Sequence, residues 1–392
     1  MAKICLIHSL YNPYKRGGAE VVVEIIIREL LKLGHEVVLI TIGRKEGIQR
    51  DGKLTIYRIK PLNVFSFLDI NERPVWLRLF WHPIDVFNLN SYFKVKKILQ
   101  NEKPAVVMTH NLKGMGYLIP RAIRKVGIKH IHTVHDVQLS RPSGLILYSQ
   151  EKPFLVIDKI YEKTIKRLFG NPDVVISPSR WLMGYYQARG FFYESKKLIM
   201  PNPLIFKDVE KRQDAAAVDQ RKINLLFIGQ IEGFKGILFL IRALKKVKPQ
   251  NWQLSIIGSG QAENQMKELI KNDNRFWFLG RVEHHKLSDY YRQADLTIVP
   301  SLCYENSPKV IDESLVANVP VIAADIGGVS EIVKDDYNGF TFAPANEKNL
   351  IEVLEHFLNH PENIEKLKKN CFISVHNLSV GNYIKRLLQL IS

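Results

Sequence analysis

Apolar positions along the chain recur in two rhythms, and their alternation predicts the architecture. Lys3–His8 is a short apolar run, Ala19–Leu33 carries apolar residues on a helical period, and Glu36–Ile42 is apolar again. Gly34 stands where a helix C-cap glycine belongs, so the opening reads as strand, helix, strand. Further buried strands are expected at Ala105–Thr109, His130–His135 and Val174–Ser177. The second half repeats the rhythm, with strands at Asn224–Ile228, Gln253–Ile257, Phe276–Leu279, Leu296–Pro300 and Val319–Ala323. Helices at Gly236–Val247, Ala262–Lys271, Lys286–Gln293 and Pro308–Ala317 separate them. Alternation of this kind predicts an α/β chain in which parallel sheets are covered on both faces. The polar stretch Phe206–Lys222 shows little apolar periodicity and reads as a linker. The expectation is therefore two Rossmann-like lobes facing across a cleft. An N-terminal lobe spans 1–205, a linker 206–222 and a C-terminal lobe 223–375, and a final helix at 376–392 packs back on the first lobe. That last segment carries Leu378, Ile384, Leu387, Leu388 and Ile391 on one stripe, which needs a surface to cover it.

Composition narrows the class. The 392 residues are 46% hydrophobic and 24% charged, which excludes disorder and a disulfide-stapled miniprotein. Three cysteines, Cys5, Cys303 and Cys371, show neither CxxC nor Cys/His spacing, so no zinc site and no disulfide framework is expected. The first apolar run is too short for a signal peptide, and no run approaches the ~20 residues that span a bilayer. A cytoplasmic protein is expected, with association at the inner face of the plasma membrane as the variant.

Charge is unevenly placed. Residues 1–205 hold 32 Lys and Arg against 16 Asp and Glu, whereas residues 206–392 hold 24 against 23. The basic first half suits nucleic acid, anionic lipid headgroups or phosphorylated substrates, and a basic surface that only aids solubility has the same composition. Within it, Arg73–Trp81 is aromatic and basic and is followed by Tyr92–Lys97, a composition fit for a membrane interface with Trp at headgroup depth. Core packing beneath a solvated face has the same composition.

The chemistry concentrates in the segment from Cys303 to Leu315. Ser307 is a natural N-cap and Pro308 suits the first helical position, so Glu305 falls in the preceding loop and Glu313 in the second turn. Asn306, Ser307 and Pro308 lie at the helix start, whose free N–H groups suit a diphosphate. Two carboxylates flanking a phosphate site are placed to accept hydrogen bonds from sugar hydroxyls. Gly17 and Gly18 precede the first helix, where glycine lets a ligand come close to backbone. They lack GxGxxG spacing, so dinucleotide reduction is not supported.

Glu305 and Glu313, Ala317–Ala324, and Gly327-Gly328-Val329-Ser330-Glu331 together resemble the signature of the family 4 glycosyltransferases. Gly17-Gly18-Ala19-Glu20, Thr133-Val134-His135-Asp136, Ser177-Pro178-Ser179, Pro201-Asn202-Pro203 and Gly229 to Gly236 extend the resemblance over nearly the whole chain. The resemblance implies the GT-B fold and a retaining, metal-independent transferase of hexose type with no cofactor. Its partners would be a nucleoside diphosphate sugar donor and a glycan, lipid-linked or small-molecule acceptor in cell-envelope glycan synthesis, with no nucleic acid. It implies that His135 lies beside the reacting centre, Lys235 neutralises the leaving diphosphate, and Glu305 holds the donor sugar. It also assigns Glu313 to the ribose, Gly17 and Gly18 to the donor phosphate, and the backbone at Arg281 and Val282 to the base. His8 and His110, also at strand ends, are further candidates for acceptor contacts. Gln230 departs from the family, where Arg commonly follows the glycine that aligns with Gly229; Gln230 can hydrogen-bond but cannot neutralise. A nucleotide-sugar epimerase and an inactive, basic family member that binds a membrane or nucleic acid are the rival readings.

Overall fold

The computed structural model describes residues 1–14, 17–74, 76–151, 156–205 and 222–391, with only the backbone at 157. The expected linker, but for its final residue, lies outside these, as does residue 75 within the aromatic and basic stretch. The chain divides into two compact units, one formed by Met1–Leu145, Lys152–Pro203 and Val380–Ser392, the other by Ile146–Glu151 and Leu204–Ser379.

In the first unit, β1 (Lys3–Ile7), α1 (Gly18–Lys32), β2 (Glu36–Ile42), β3 (Gly47–Asp51) and β4 (Leu54–Ile59) are followed by α2 (Leu77–Val86) and α3 (Leu89–Glu102). Next come β5 (Val106–Thr109), α4 (Ile119–Val126), β6 (Lys129–Thr133), α5 (Val156–Phe169), β7 (Val174–Ser177), α6 (Arg180–Gln187) and β8 (Lys196–Ile199). The sheet runs β3-β4-β2-β1-β5-β6-β7-β8 and is parallel except for the hairpin β3/β4. That hairpin escapes the sequence reading because every residue of β3 is exposed, leaving no apolar alternation to see.

The second unit contains β9 (Ile223–Ile228), α7 (Ile237–Lys246), β10 (Trp252–Ile257), α8 (Glu263–Ile270), β11 (Phe276–Gly280), α9 (Leu287–Gln293) and β12 (Leu296–Val299). It continues with α10 (Lys309–Val316), β13 (Val321–Ala324), α11 (Val329–Ile332), β14 (Gly339–Phe342), α12 (Glu347–Asn359) and α13 (Glu362–Val375). Its sheet is wholly parallel in the order β11-β10-β9-β12-β13-β14. Leu225 and Phe227 of β9 pack with Leu240, Ile241 and Leu244 of α7 in one buried cluster.

The last helix, α14 (Val380–Ile391), belongs to the first unit. Tyr383, Ile384 and Leu387 bury against Val22, Val23, Ile26 and Leu30 of α1, each side chain contributing roughly 1.5–3 kcal/mol. Leu378 does not join that stripe. It precedes the helix, its carbonyl accepts from the Leu204 N–H at 2.8 Å, and its side chain packs on the second unit's core.

Two tight crossings hold the second unit's loops. Gly236 has φ +76, and a Cβ there would lie 1.8 Å from the Pro300 carbonyl oxygen. Gly327 has φ +71, and its Cβ would lie 2.0 Å from the Glu305 oxygen. In the first unit, α2 is fixed by its inner face: Trp81 Nε1–H donates to the Phe65 carbonyl at 2.9 Å, and the Gly114 N–H donates to Asp85 Oδ2 at 3.0 Å. Burial pushes the Asp85 carboxyl up to about 7, so the folded state holds its proton where the unfolded chain has lost it.

Two outcomes follow. Gly236→Ala should lose about 2 kcal/mol or more in a denaturant titration, because backbone rather than a movable side chain blocks the new methyl. A raised carboxyl stabilises below its unfolded pKa of about 4 and ceases to do so as pH rises through about 7. Unfolding free energy measured from pH 4 to pH 8 should therefore fall, and Asp85→Asn should remove roughly 1–4 kcal/mol of that slope.

Candidate active site

In an open parallel sheet, ligands bind beyond the strand carboxyl ends where the strand order reverses. In the second unit that point lies between β9 and β12. The loop after β9 carries Lys235 and the loop after β12 carries Glu305, and the two meet with Lys235 Nζ 2.6 Å from Glu305 Oε1. Ser301 Oγ donates to the same oxygen at 2.8 Å. Burial draws the Lys235 pKa down, but Glu305 more than offsets this and the pKa ends raised, so the ammonium keeps its charge. Burial pushes the Cys303 thiol up to about 12, leaving it neutral beside the pair.

The loop bearing Glu305 is braced from both sides. The Gly328 N–H donates to the Glu305 carbonyl at 2.8 Å. On the other side Leu147 and Cys303 form an antiparallel bridge. The Tyr148 N–H donates to the Leu302 carbonyl at 2.9 Å, and the Tyr304 N–H to the Ile146 carbonyl at 2.9 Å. Tyr304 OH donates to Glu151 Oε1 at 2.8 Å. Nothing in the sequence of Ile146–Glu151 announced this role.

Glu313 lies on α10, half-buried, with Oε1 2.9 Å from His284 Nε2 and Oε2 accepting from Tyr291 OH at 3.1 Å. One element differs from expectation: the N-cap is Pro308, in extended conformation and without a side-chain cap bond, and the helix begins at Lys309. Ser307 is therefore a loop residue rather than a cap, and Asn306, Ser307 and Pro308 are half-buried in that loop. Gln230 is exposed beyond β9, while Arg281 is exposed and Val282 half-buried just past β11.

In the first unit the strand order reverses between β1 and β5. His8 follows β1 and His110 follows β5. His135 does not end a strand, because β6 stops at Thr133; it stands just beyond, half-buried. His110 Nδ1 and His135 Nε2 are 2.9 Å apart with their rings stacked, and the His8 ring meets His110 edge-on at 5.9 Å. His8 Nε2 lies 3.9 Å from Glu20 Oε1, and the other Glu20 oxygen accepts from the Gly17 N–H at 2.9 Å. Gly17 and Gly18 are exposed at the start of α1.

Burial lowers His8 to about 3 and takes His110 well below its ordinary value, so both rings are neutral. Among the described residues both His8 ring nitrogens and His110 Nε2 are buried without a hydrogen-bond partner. Such orphaned groups cost about 1–3 kcal/mol each and mark places where a ligand or water completes the bonding. Sequence reading gave Glu20 no role. Its signal was an acid in the first turn, directly after the glycine pair. A separate pocket of ≈ 430 Å³ in this unit is lined by Lys60, Phe65, Asp69, Trp81 and Gly114, among others. Among the described residues no group of three or more His, Cys, Asp or Glu is placed to hold a metal ion.

Comparison with known proteins accounts for both units. Residues 16–204 match the family described as Glycosyltransferase Family 4, and residues 208–372 match that described as Glycosyl transferases group 1. A Klebsiella pneumoniae protein described as an uncharacterized 42.6 kDa protein in cps region is 25% identical over 336 residues, covering 84% of this chain and 87% of that one. The lipopolysaccharide 1,2-N-acetylglucosaminetransferase of Salmonella typhimurium is 26% identical over 210 residues, 49% of this chain and 55% of that one. Among solved structures, Anabaena HepE in complex with UDP superposes with a TM-score of 0.73 at 16% identity, covering 99% of each chain. The same protein has been solved with UDP-glucose. The chain has the GT-B fold and belongs to glycosyltransferase family 4.

Proposed function

We propose that this protein is a retaining glycosyltransferase that moves a hexose-type unit from a nucleoside diphosphate sugar to an acceptor hydroxyl in bacterial cell-envelope glycan synthesis. The observation that carries the reading is the Lys235–Glu305 pair, held where the second sheet reverses its strand order. An incoming diphosphate offers the ammonium a stronger anionic partner. Glu305, still held by Ser301, is then free to accept hydrogen bonds from the hydroxyls of the donor sugar. Glu313, oriented by Tyr291, accepts from the ribose hydroxyls. Gly17 and Gly18 lie against the donor phosphate, and the backbone at Arg281 and Val282 meets the base.

In the chemical step the bond from the anomeric carbon to the phosphate oxygen breaks as a bond to the acceptor oxygen forms on the same face. The acceptor proton passes to the departing phosphate, so no carboxylate nucleophile is required. Lys235 and the start of α10 neutralise the developing charge, the work a divalent metal does in other transferases. His135 stands by the reacting centre, its ring set by neutral His110. Gln230 adds a hydrogen bond but no charge, which leaves Lys235 as the principal cation. The complexes of HepE with UDP and UDP-glucose support a nucleotide-sugar donor, and the cps-region protein and the lipopolysaccharide transferase among the relatives support an envelope glycan.

Calorimetric titration with UDP, GDP, ADP and dTDP should show one diphosphate preferred, with affinity lowered about tenfold or more in Glu313→Ala and in Lys235→Ala. Lys235→Ala should also lower kcat by roughly 10²–10³, and Lys235→Arg should recover part of it. The anomeric proton coupling of the product, read by NMR, should match that of the donor. Unchanged affinity and rate in Glu313→Ala would remove that residue from the donor site.

A further inference from the structure

Two histidines stand side by side just before α9, and their rings part. Glu283 Oε2 lies 3.6 Å from His285 Nε2 and 3.8 Å from Lys286 Nζ, so that carboxylate engages the second ring of the pair. His284 turns instead to α10, where its Nε2 is 2.9 Å from Glu313 Oε1. A carboxylate only accepts, so Nε2 carries the proton of this bond. Tyr291 OH donates to the other oxygen of Glu313 at 3.1 Å. The two donors are held differently. Tyr291 is buried in a cluster with Leu226, Leu287 and Val319, against which Val282 and Val310 pack. The His284 side chain is 69% exposed, but its backbone is tied to α9: it opens the single turn His284–Lys286, and its carbonyl accepts from the Leu287 N–H.

An ionised carboxylate offers about four lone-pair sites, two on each oxygen. One donor per oxygen fixes the orientation of the group and leaves acceptor capacity on both oxygens. Two O–H groups on adjacent carbons match what remains, whereas a single hydroxyl leaves one oxygen short of a bond it would make in water. We infer that His284 is a positioning residue for the donor nucleoside. By holding Glu313 Oε1 while Tyr291 holds Oε2, it presents the carboxylate to the 2′,3′-diol of a ribose, and the site thereby selects ribonucleoside over 2′-deoxyribonucleoside diphosphates. The inference rests on the donor-site reading of Glu313 given above and goes beyond it by naming what sets the sugar of the nucleoside. Chain order fits: Arg281 and Val282, read as meeting the base, lead directly into Glu283 and His284, so base and ribose are met from one stretch.

The test is calorimetric titration of the full chain with UDP and dUDP, GDP and dGDP, and ADP and dADP. For the base that binds, the ribonucleotide should bind about tenfold or more tightly than its 2′-deoxy partner. His284→Ala should reduce that ratio by about threefold or more, and His284→Gln, which restores an N–H donor, should recover part of it. Tyr291→Phe should lower the ratio as well. His285→Ala, which alters the neighbouring ring, should leave both affinities as in the parent. Thermal melting checks that each variant folds, and a merely structural loss would weaken both nucleotides of a pair alike. An unchanged ratio in His284→Ala, with the parent still selecting the ribonucleotide, would overturn the inference and leave the donor-site reading standing. So would a parent that binds both nucleotides of the pair equally. A Glu313→Ala variant that binds every diphosphate as the parent does would remove the donor-site reading, and this inference with it.

Discussion

An ammonium and a carboxylate drawn out of water must find each other, and in the second unit the chain bends so that they do. Lys235 and Glu305 come from loops after different strands, and their meeting requires that β9 and β12 be neighbours. It also requires that backbone pass unusually close at Gly236 and Gly327, where any side chain would strike a carbonyl. The parallel sheet, the two glycines and the strand bridge from Leu147 to Cys303 serve this one pairing. A pair held in this way keeps its two charges together and largely out of water.

The first unit treats its polar groups in the opposite manner. His8 and His110 are kept neutral by burial, and their unpaired nitrogens point to bonding left incomplete. The basic excess of the first half lies elsewhere, with Lys94, Lys96 and Lys97 of α3 among it. A cluster of neutral rings offers directional hydrogen bonds at little electrostatic cost, whereas the second unit's site holds a fixed pair of charges.

Much of this was legible in the sequence because parallel strands covered on both faces read as unbroken apolar runs. Hairpin β3/β4 was invisible for the converse reason: an exposed edge has no core to report. The residues Lys235, Glu305 and Glu313 stood in recognisable segments, yet the pairing of the first two spans 70 residues and depends on strand order, which periodicity does not reveal. The same holds for His8, His110 and His135, brought together from just beyond the ends of three strands. For α2 the difficulty was different. Both of its faces are apolar, so the helical period could not say which would be buried; of the two tryptophans in that stretch, Trp81 is inside and Trp76 outside.

The assignment of Ile146–Glu151 to the second unit and of Val380–Ser392 to the first has a consequence for biogenesis. Each unit borrows a piece from the far side of the other in chain order, so neither is a contiguous stretch of message. The segment that braces the loop of Glu305 is made long before that loop, and the helix that covers α1 is made only after the second unit's sheet. The apolar face of α1 therefore stays uncovered while the whole second unit is made, and a gene cut between the units would deprive both.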